Sequence, residues 1–323
     1  MEFTFGVLTF CQEKIVCETL ESIKYQVNNY GKDIAVNLYI IDDCSSDDTA
    51  QVCERWVANN ISLFKNTKII KNDVNQGTVA NYLKVIDLVK DEYFKVIAGD
   101  DLFSSENLFI KYTGLDDNTL RVFTPLYLTD GKVYKSNARV LNTSYFKNKK
   151  INKRYALRQM MKGGFFNTPS VLYTKGLFEK SDSRSLLSSF RLFEDDPTWF
   201  SMVKNVEGLK IEFSSDVVVL YRFHNASVSH IKNKVKSRFQ IDKENLHKIY
   251  TETSSIFMKI YLAVQDSDCY WLFRLDRYWD HCVNLVRKIV VYMAGDYKNC
   301  LKESDRKAIE QQEFYDILLE QIR

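Results

Sequence analysis

Tyr93-Phe94-Lys95-Val96-Ile97-Ala98-Gly99-Asp100-Asp101 is an apolar run that stops at a glycine and two adjacent acids. It reads as a strand whose end delivers carboxylates to one edge of a sheet. Three similar strand signals precede it, at 3–10, 35–41 and 68–71. Helical spacings lie between them. Ile15, Val16, Leu20, Ile23 and Val27 mark a helix over 13–27. Ser45, Ser46 and Asp47 are capping residues before a helix through Val52, Trp56 and Val57. Val79, Leu83, Ile86 and Val89 share one face of 77–90. Strands alternating with helices in this way predict an α/β fold. Its sheet is mostly parallel, has right-handed crossovers and is flanked by helices on both faces. Ligands of such sheets bind outside the C-terminal strand ends. Here that rule selects 9–13, 42–48 and 99–101, all of which carry polar groups.

Past Asp101 the alternation weakens. Residues 122–134 read as a hairpin turned at Asp130-Gly131. Residues 170–173 and 217–221 read as strands, and 197–203 as a helix behind Glu194-Asp195-Asp196. From about 232 onward only helices are expected, at 245–261, 269–293 and 306–322. The expected domains are therefore 1–230, split into halves 1–101 and 102–230, and an α-helical extension at 231–323.

Composition narrows the function. Only 3 of 323 residues are Pro and 11 are Gly, which excludes collagen-like and low-complexity chains. Apolar residues at 45 % are enough for a large core. The net charge of +3 argues against a nucleic-acid binder, but it hides a pattern. Residues 1–130 hold 12 Lys/Arg against 20 Asp/Glu, whereas 131–164 hold 10 Lys/Arg and no acid. The 7 cysteines form no C-x-x-C and no Cys/His cluster of zinc type, so reduced thiols in a cytoplasmic protein are expected. The opening Met-Glu-Phe-Thr-Phe does not read as a signal peptide, and no apolar run approaches the roughly 20 residues of a membrane helix.

Five constellations carry candidate chemistry. Gly99-Asp100-Asp101 suits a divalent cation holding a diphosphate, or a plain turn and cap. Asp42-Asp43 ends a strand where a carboxylate can accept hydrogen bonds from a base or ribose, while Asp47 and Asp48 favour a helix N-terminus. Asn75-Gln76-Gly77-Thr78 places a glycine and helix N–H groups where a phosphate or sugar can approach, or forms a simple turn. Glu194-Asp195-Asp196-Pro197 either caps a helix or supplies a general base, since crowded acids raise one another's pKa. Arg222 and His224 follow a strand, where they can clamp phosphate, ligate metal or simply be structural.

In this order and spacing the five constellations resemble family 2 of the inverting, nucleotide-sugar-dependent glycosyltransferases, over about residues 3–230. The resemblance implies the GT-A fold, a Rossmann-like α/β sandwich. It places Thr9, Phe10 and Glu13 at the first donor-binding turn. It puts Asp43, or its neighbour Asp42, on the uracil ring, and Asn75, Gly77 and Asn81 in the family's Asn-x-Gly motif. Cys44 stands where the family has Gly, and Ala98 where its D-x-D motif has the first Asp. That leaves Asp101 as the metal ligand and Asp100 on ribose or metal. Glu194-Asp195 matches the base motif, making Asp195 the catalytic base. Arg222 matches a donor-binding position and His224 a metal position in the closing Arg-x-His-x-x-Ser.

The implied activity is transfer of a sugar from a UDP-sugar to a hydroxyl of a glycan acceptor, with Mn²⁺ or Mg²⁺ as cofactor. The basic stretch, interleaved with Tyr134, Tyr145, Phe146 and Tyr155, suits a lipid-linked acceptor or anionic head groups. That fits bacterial surface polysaccharide synthesis of capsule or O-antigen type, peripheral at the inner membrane face. The C-terminal helices pack on the catalytic domain, form a homo-oligomer or dock on a membrane. A sugar-phosphate nucleotidyltransferase would need a glycine-rich phosphate loop after the first strand, and 9–13 contains no glycine. A catalytically inactive binding module would not need Asp101 and Asp195.

Overall fold

A computed structural model describes residues 1–167, 169–223, 237–253, 282, 285, 286, 288–290 and 296–322. In it the four expected strands lie side by side and parallel. They are β1 (Glu2–Thr9), β2 (Ala35–Asp42), β3 (Asn66–Lys71) and β4 (Tyr93–Ala98), in the order β3-β2-β1-β4. Helices α1 (Val16–Tyr30), α2 (Thr49–Asn60) and α3 (Thr78–Leu88) make the crossovers. β1 is covered on both faces. Phe3, Phe5 and Val7 join one core with Leu20 and Ile23 of α1 and Trp56 and Val57 of α2. On the other face a Cβ at Gly6 would lie 2.5 Å from Val85 of α3. The register sets Thr9 beside Asp42 and Leu8 beside Ala98. Four loops therefore emerge along one sheet edge, and the strand order reverses at β1, where such folds open a crevice.

The second half begins with β5 (Leu102–Phe103), β6 (Thr119–Val122), β7 (Leu126–Thr129) and β8 (Lys132–Lys135). It continues through α4 (Asn137–Phe146), α5 (Lys153–Met161), β9 (Val171–Leu172), α6 (Lys175–Lys180), α7 (Ser183–Leu187) and α8 (Asp195–Asn205). β10 (Lys210–Phe213) and β11 (Val219–Arg222) complete it. β5 leaves Asp101 directly and pairs antiparallel with β11, Leu102 opposite Leu220. This pairing carries Arg222 to the two acids.

Several expectations change. The hairpin starts at Leu126, with Asp130 and Gly131 at φ 50° and 75° as a primed turn requires. The preceding Thr119–Val122 pairs with β9 and β10 in a different sheet. Past the hairpin the basic stretch, given no element above, is largely helical. Its helices α4 and α5 bury Val140, Leu141, Phe146, Ala156, Met160 and Met161, while Lys147, Lys149, Lys150, Lys153, Arg154 and Arg158 stay exposed. Charge on the outer face masks this helical spacing in the sequence. The expected helix at 245–261 begins earlier, as α9 (Arg238–Thr253). Its remainder and most of 269–293 lie outside the described residues.

The last helix, α10 (Asp296–Ile322), is longer than the expected 306–322. It packs on the second half: Phe314, Tyr315 and Leu318 form one core with Leu102, Leu126, Leu128 and Leu220.

Candidate active site

The four strand ends assemble a hydrogen-bonded wall. Asp42 is fully buried and accepts from the Thr9 hydroxyl at 3.0 Å and from Ser45 N and Oγ at 2.9 and 2.5 Å. Ser45 Oγ in turn accepts from Cys11 N at 2.8 Å. Glu13 and Asp47 lace the same two loops together. Glu13 N donates to Asp47 Oδ2 at 3.2 Å, and Asp48 N donates to Glu13 Oε2 at 3.0 Å. Asp47 also accepts from Thr49 N at 3.1 Å, so it both caps α2 and joins the loops. Cys11 and Cys44, at φ 52° and 63°, occupy left-handed turns. Phe10, half exposed, presents its ring at the mouth of the wall.

Asp43 is the centre of the next layer. Its Oδ1 accepts from Asn72 Nδ2 at 2.9 Å and Gln76 N at 2.7 Å, and its Oδ2 from Gly77 N at 2.8 Å. Burial pushes its carboxyl up, but hydrogen bonds from Asn81, Gln76, Asn72 and Gly77 outweigh this and hold it below the ordinary value. Asn72 also donates to Asn81 Oδ1 at 2.7 Å, and Asn81 donates to the Gly77 carbonyl at 3.1 Å.

Gly77, at φ +88°, needs its missing side chain for a reason different from the expected one. A Cβ there would lie 2.5 Å from Arg191 Cγ and 2.7 Å from the Arg191 carbonyl. Two N–H groups at the start of α3 have acceptors within the protein. Gly77 N is taken by Asp43, and Val79 N by the Arg191 carbonyl at 3.0 Å. Asn75 is likewise held by Arg191 Nη2, at 2.9 Å to both its carbonyl and its Oδ1.

At β4 the turn is tight because Gly99 N donates to the Leu8 carbonyl at 2.8 Å, and a Cβ would meet Gln12 Oε1 at 2.6 Å. Asp101 is buried. Its Oδ1 accepts from Arg222 N at 2.8 Å and its carbonyl from the Thr19 hydroxyl at 2.7 Å. Burial first, then the neighbouring Asp100, push the Asp101 carboxyl well above the ordinary range. The Arg222 N–H, its guanidinium and Lys95 offset this only in part. The Arg222 guanidinium turns inward. Its Nε donates to the Asp100 carbonyl at 2.8 Å and its Nη2 pairs with Glu18.

The acidic triplet opens α8 with Asp195 as its first residue. Burial, followed by repulsion from Asp195, pushes Glu194 up to about 8 and Asp196 up to about 7. Lys95, buried in the middle of β4, donates to the carbonyls of Pro169 at 2.6 Å and Val171 at 3.0 Å. Burial lowers Lys95 to about 8 against the attraction of Asp101, Glu194 and Asp195. Tyr221 is pushed up to about 12 by burial and by the fields of Asp101, Asp100 and Asp195. Asp101, Glu194 and Asp195 thus all act on Lys95, and Asp100, Asp101 and Asp195 on Tyr221, so acids from both halves of the chain lie within electrostatic reach of the same two side chains.

A lysine interrupting an apolar strand was the one sequence signal for Lys95. Glu18, Asn72, Arg191, Tyr221 and Tyr315 carried none. His224 lies outside the described residues, and among those described no group of three His, Cys, Asp or Glu side chains could hold an ion alone. The adjacent Asp100 and Asp101 carboxylates nevertheless fit Mg²⁺ or Mn²⁺. Such ions take one or two carboxylates and complete their shell with substrate phosphates and water.

Comparison with known proteins gives a family and a fold. Residues 4–181 match the family described as Glycosyl transferase family 2. A crystal structure of S. aureus TarS residues 1–349 with UDP-GlcNAc is 14 % identical, covers 100 % of this chain and 93 % of that one, and has a TM-score of 0.56. The mannosyltransferase PcManGT of Pyrobaculum calidifontis, in complex with GDP-Man and Mn²⁺, is 13 % identical over 89 % of this chain and 86 % of its own, with a TM-score of 0.50. At these identities the likeness is one of fold, the GT-A fold. An uncharacterized glycosyltransferase of Mycoplasma genitalium is 32 % identical over 94 residues, 28 % of this chain and 31 % of that protein. An uncharacterized protein of Mycobacterium tuberculosis is 22 % identical over 232 residues, 69 % of this chain and 59 % of its own. The chain thus spans about a third to three fifths of the curated relatives it matches.

Proposed function

Since this chain belongs to glycosyl transferase family 2, we propose that it moves a sugar from a UDP-sugar to a hydroxyl of a glycan acceptor, inverting the anomeric carbon. The observation that carries this reading is that Asp101, which ends the parallel sheet's β4 turn, and Glu194–Asp195, which open α8, all act on buried Lys95, while Asp100, Asp101 and Asp195 act on Tyr221. One pair suits the donor diphosphate and the other the acceptor hydroxyl.

Asp195 takes the proton of the acceptor hydroxyl. The freed oxygen attacks the anomeric carbon from the face opposite the nucleotide, and one in-line displacement turns an α-linked donor into a β-linked product. Glu194, at about 8, holds its proton at pH 7 and so adds no second negative charge beside the base. Phe10 offers a flat apolar face to the base of the nucleotide, and the Asp43–Asn72–Asn81 layer braces the wall behind it. Asp101, with Asp100, would hold Mn²⁺ or Mg²⁺, which supplies positive charge to the departing UDP. His224 keeps its place as a candidate further ligand.

Exposed Lys150, Arg154 and Arg158 on α5 and its approach suit anionic head groups or the diphosphate of a lipid-linked acceptor. Among the described residues no helix is long and apolar enough to cross a membrane, so this contact would be peripheral. It would place the enzyme in bacterial surface polysaccharide synthesis.

UDP release measured across a panel of UDP-sugars with Mn²⁺ should single out one donor. Release from none of them overturns the donor assignment. Co-sedimentation with anionic vesicles at low salt should fall several-fold when Lys150, Arg154 and Arg158 are all changed to Gln. Equal sedimentation sinks the membrane contact.

A further inference from the structure

The family match ends at residue 181, yet a side chain of α10 is linked, through Glu18 and Arg222, to the two acids at the end of β4. The Tyr315 hydroxyl donates to Glu18 Oε2 at 2.9 Å. The same oxygen pairs with Arg222 Nη2. Arg222 then grips the turn twice, through Nε to the Asp100 carbonyl and through its own N–H to Asp101 Oδ1, both at 2.8 Å. Next to Glu18 on α1, the Thr19 hydroxyl holds the Asp101 carbonyl at 2.7 Å. Tyr315, Glu18 and Arg222 come from three elements far apart in the chain.

The rest of α10 fixes where Tyr315 stands. Phe314 packs edge-on against Tyr25 of α1 at 4.7 Å between ring centroids. Gln311 accepts from Ser105 N at 2.8 Å and donates to Ser105 Oγ at 2.7 Å. Lys307 pairs with Glu106 at 3.0 Å and Asp216 at 3.2 Å. One face of α10 is therefore pinned, at successive turns, to the segment that follows Asp101. Glu18 is a buried carboxylate with two partners, and a buried charge that loses a partner is strongly destabilised or moves. The tyrosine hydroxyl thus sets where Glu18 sits, Glu18 sets where the guanidinium sits, and the guanidinium sets the turn.

We propose that Tyr315 is a positioning residue for the Asp100–Asp101 turn, acting through Glu18 and Arg222, so that the C-terminal helix is part of the donor site. The donor half of this statement rests on the glycosyltransferase reading above.

Tyr315→Phe keeps the ring and removes only the hydroxyl. Glu18→Gln keeps an acceptor and removes the charge. Exposed Ile317 lies on the same helix, and Ile317→Ala is the control. Amide hydrogen exchange on the full chain without ligand reads the turn itself, and titration with UDP in Mn²⁺ reads the donor site. Both test variants should speed exchange at Asp101 and Arg222 and weaken UDP binding on the order of fivefold. Their double variant should be little worse than the weaker single one. Ile317→Ala should change neither measurement. Wild-type exchange at Asp101 and Arg222 in both test variants overturns the proposal. So does altered exchange with unchanged UDP affinity, since the turn then does not serve the donor. A wild-type chain that fails to bind UDP, while exchange still responds to Tyr315→Phe, overturns the donor reading and leaves the positioning of the turn standing.

Discussion

The two sides of the crevice treat their carboxylates in opposite ways. On the β2 side, Asp42 and Asp43 are satisfied by hydroxyls, amides and backbone N–H groups, and Asp43 is held below its ordinary pKa. On the side formed by β4 and α8, Asp101, Glu194 and Asp196 are crowded, desolvated and raised. The first arrangement stabilises the fold and makes a rigid wall. The second leaves carboxyls whose ionised form is disfavoured, so that a cation or a proton stabilises them. Asp42 and Asp43, each held by several hydrogen bonds, build the wall, while Asp101, Glu194 and Asp196, raised by desolvation and by their acidic neighbours, lie on the other side.

The largest effect that tests this contrast is at Asp195. Asp195→Asn should lower the rate of transfer about a thousandfold while UDP binding, measured by titration, stays near wild type. Full activity in that variant removes Asp195 as the base. Next is the β2 side. Asp43→Ala leaves Gln76 N, Gly77 N and Asn72 without their acceptor and should cost about 3 kcal/mol in urea unfolding. Stability lost by less than about 1 kcal/mol would show that the wall does not depend on this carboxylate.

The smallest effect concerns pH, and its sign differs between the two sides. Asp43 is lowered from 3.8, so its contribution is fully present above the unfolded value and fades as pH falls through the folded one. Glu194 is raised from 4.5 to about 8. The native state therefore keeps a proton that the unfolded chain gives up, and stability declines as pH rises from 4.5 to about 8. Glu194→Gln should remove that decline. Its melting temperature should match wild type near pH 5 and exceed it by about 2 °C at pH 8.5. A difference that does not grow with pH would place Glu194 in water rather than in the acidic cluster.

Much of the first half was legible. Continuous apolar runs ending in Thr9, Asp42 and Ala98 read as parallel strands because a sheet covered on both faces demands such runs. The turn at Asp130-Gly131 was visible because few residue pairs tolerate two positive φ values. The helices of the basic stretch were hidden by their charge, although Val140, Leu141, Ala156 and Met160 already stood at helical spacing. Arg191 over Gly77 was invisible for another reason: the glycine announced that something comes close, and only packing says what.

The sequence alone determined which residues end each strand, and so which polar groups could reach the crevice, because side-chain period and local turn chemistry are properties of neighbours in the chain. Tertiary structure decided which acids are neutralised and which are left charged. That depends on partners such as Asn72 for Asp43, Lys95 beneath Asp101 and Glu194, and Tyr315 behind Arg222. Burial and electrostatic energy are set by distance in space, and separation along the chain carries no trace of it.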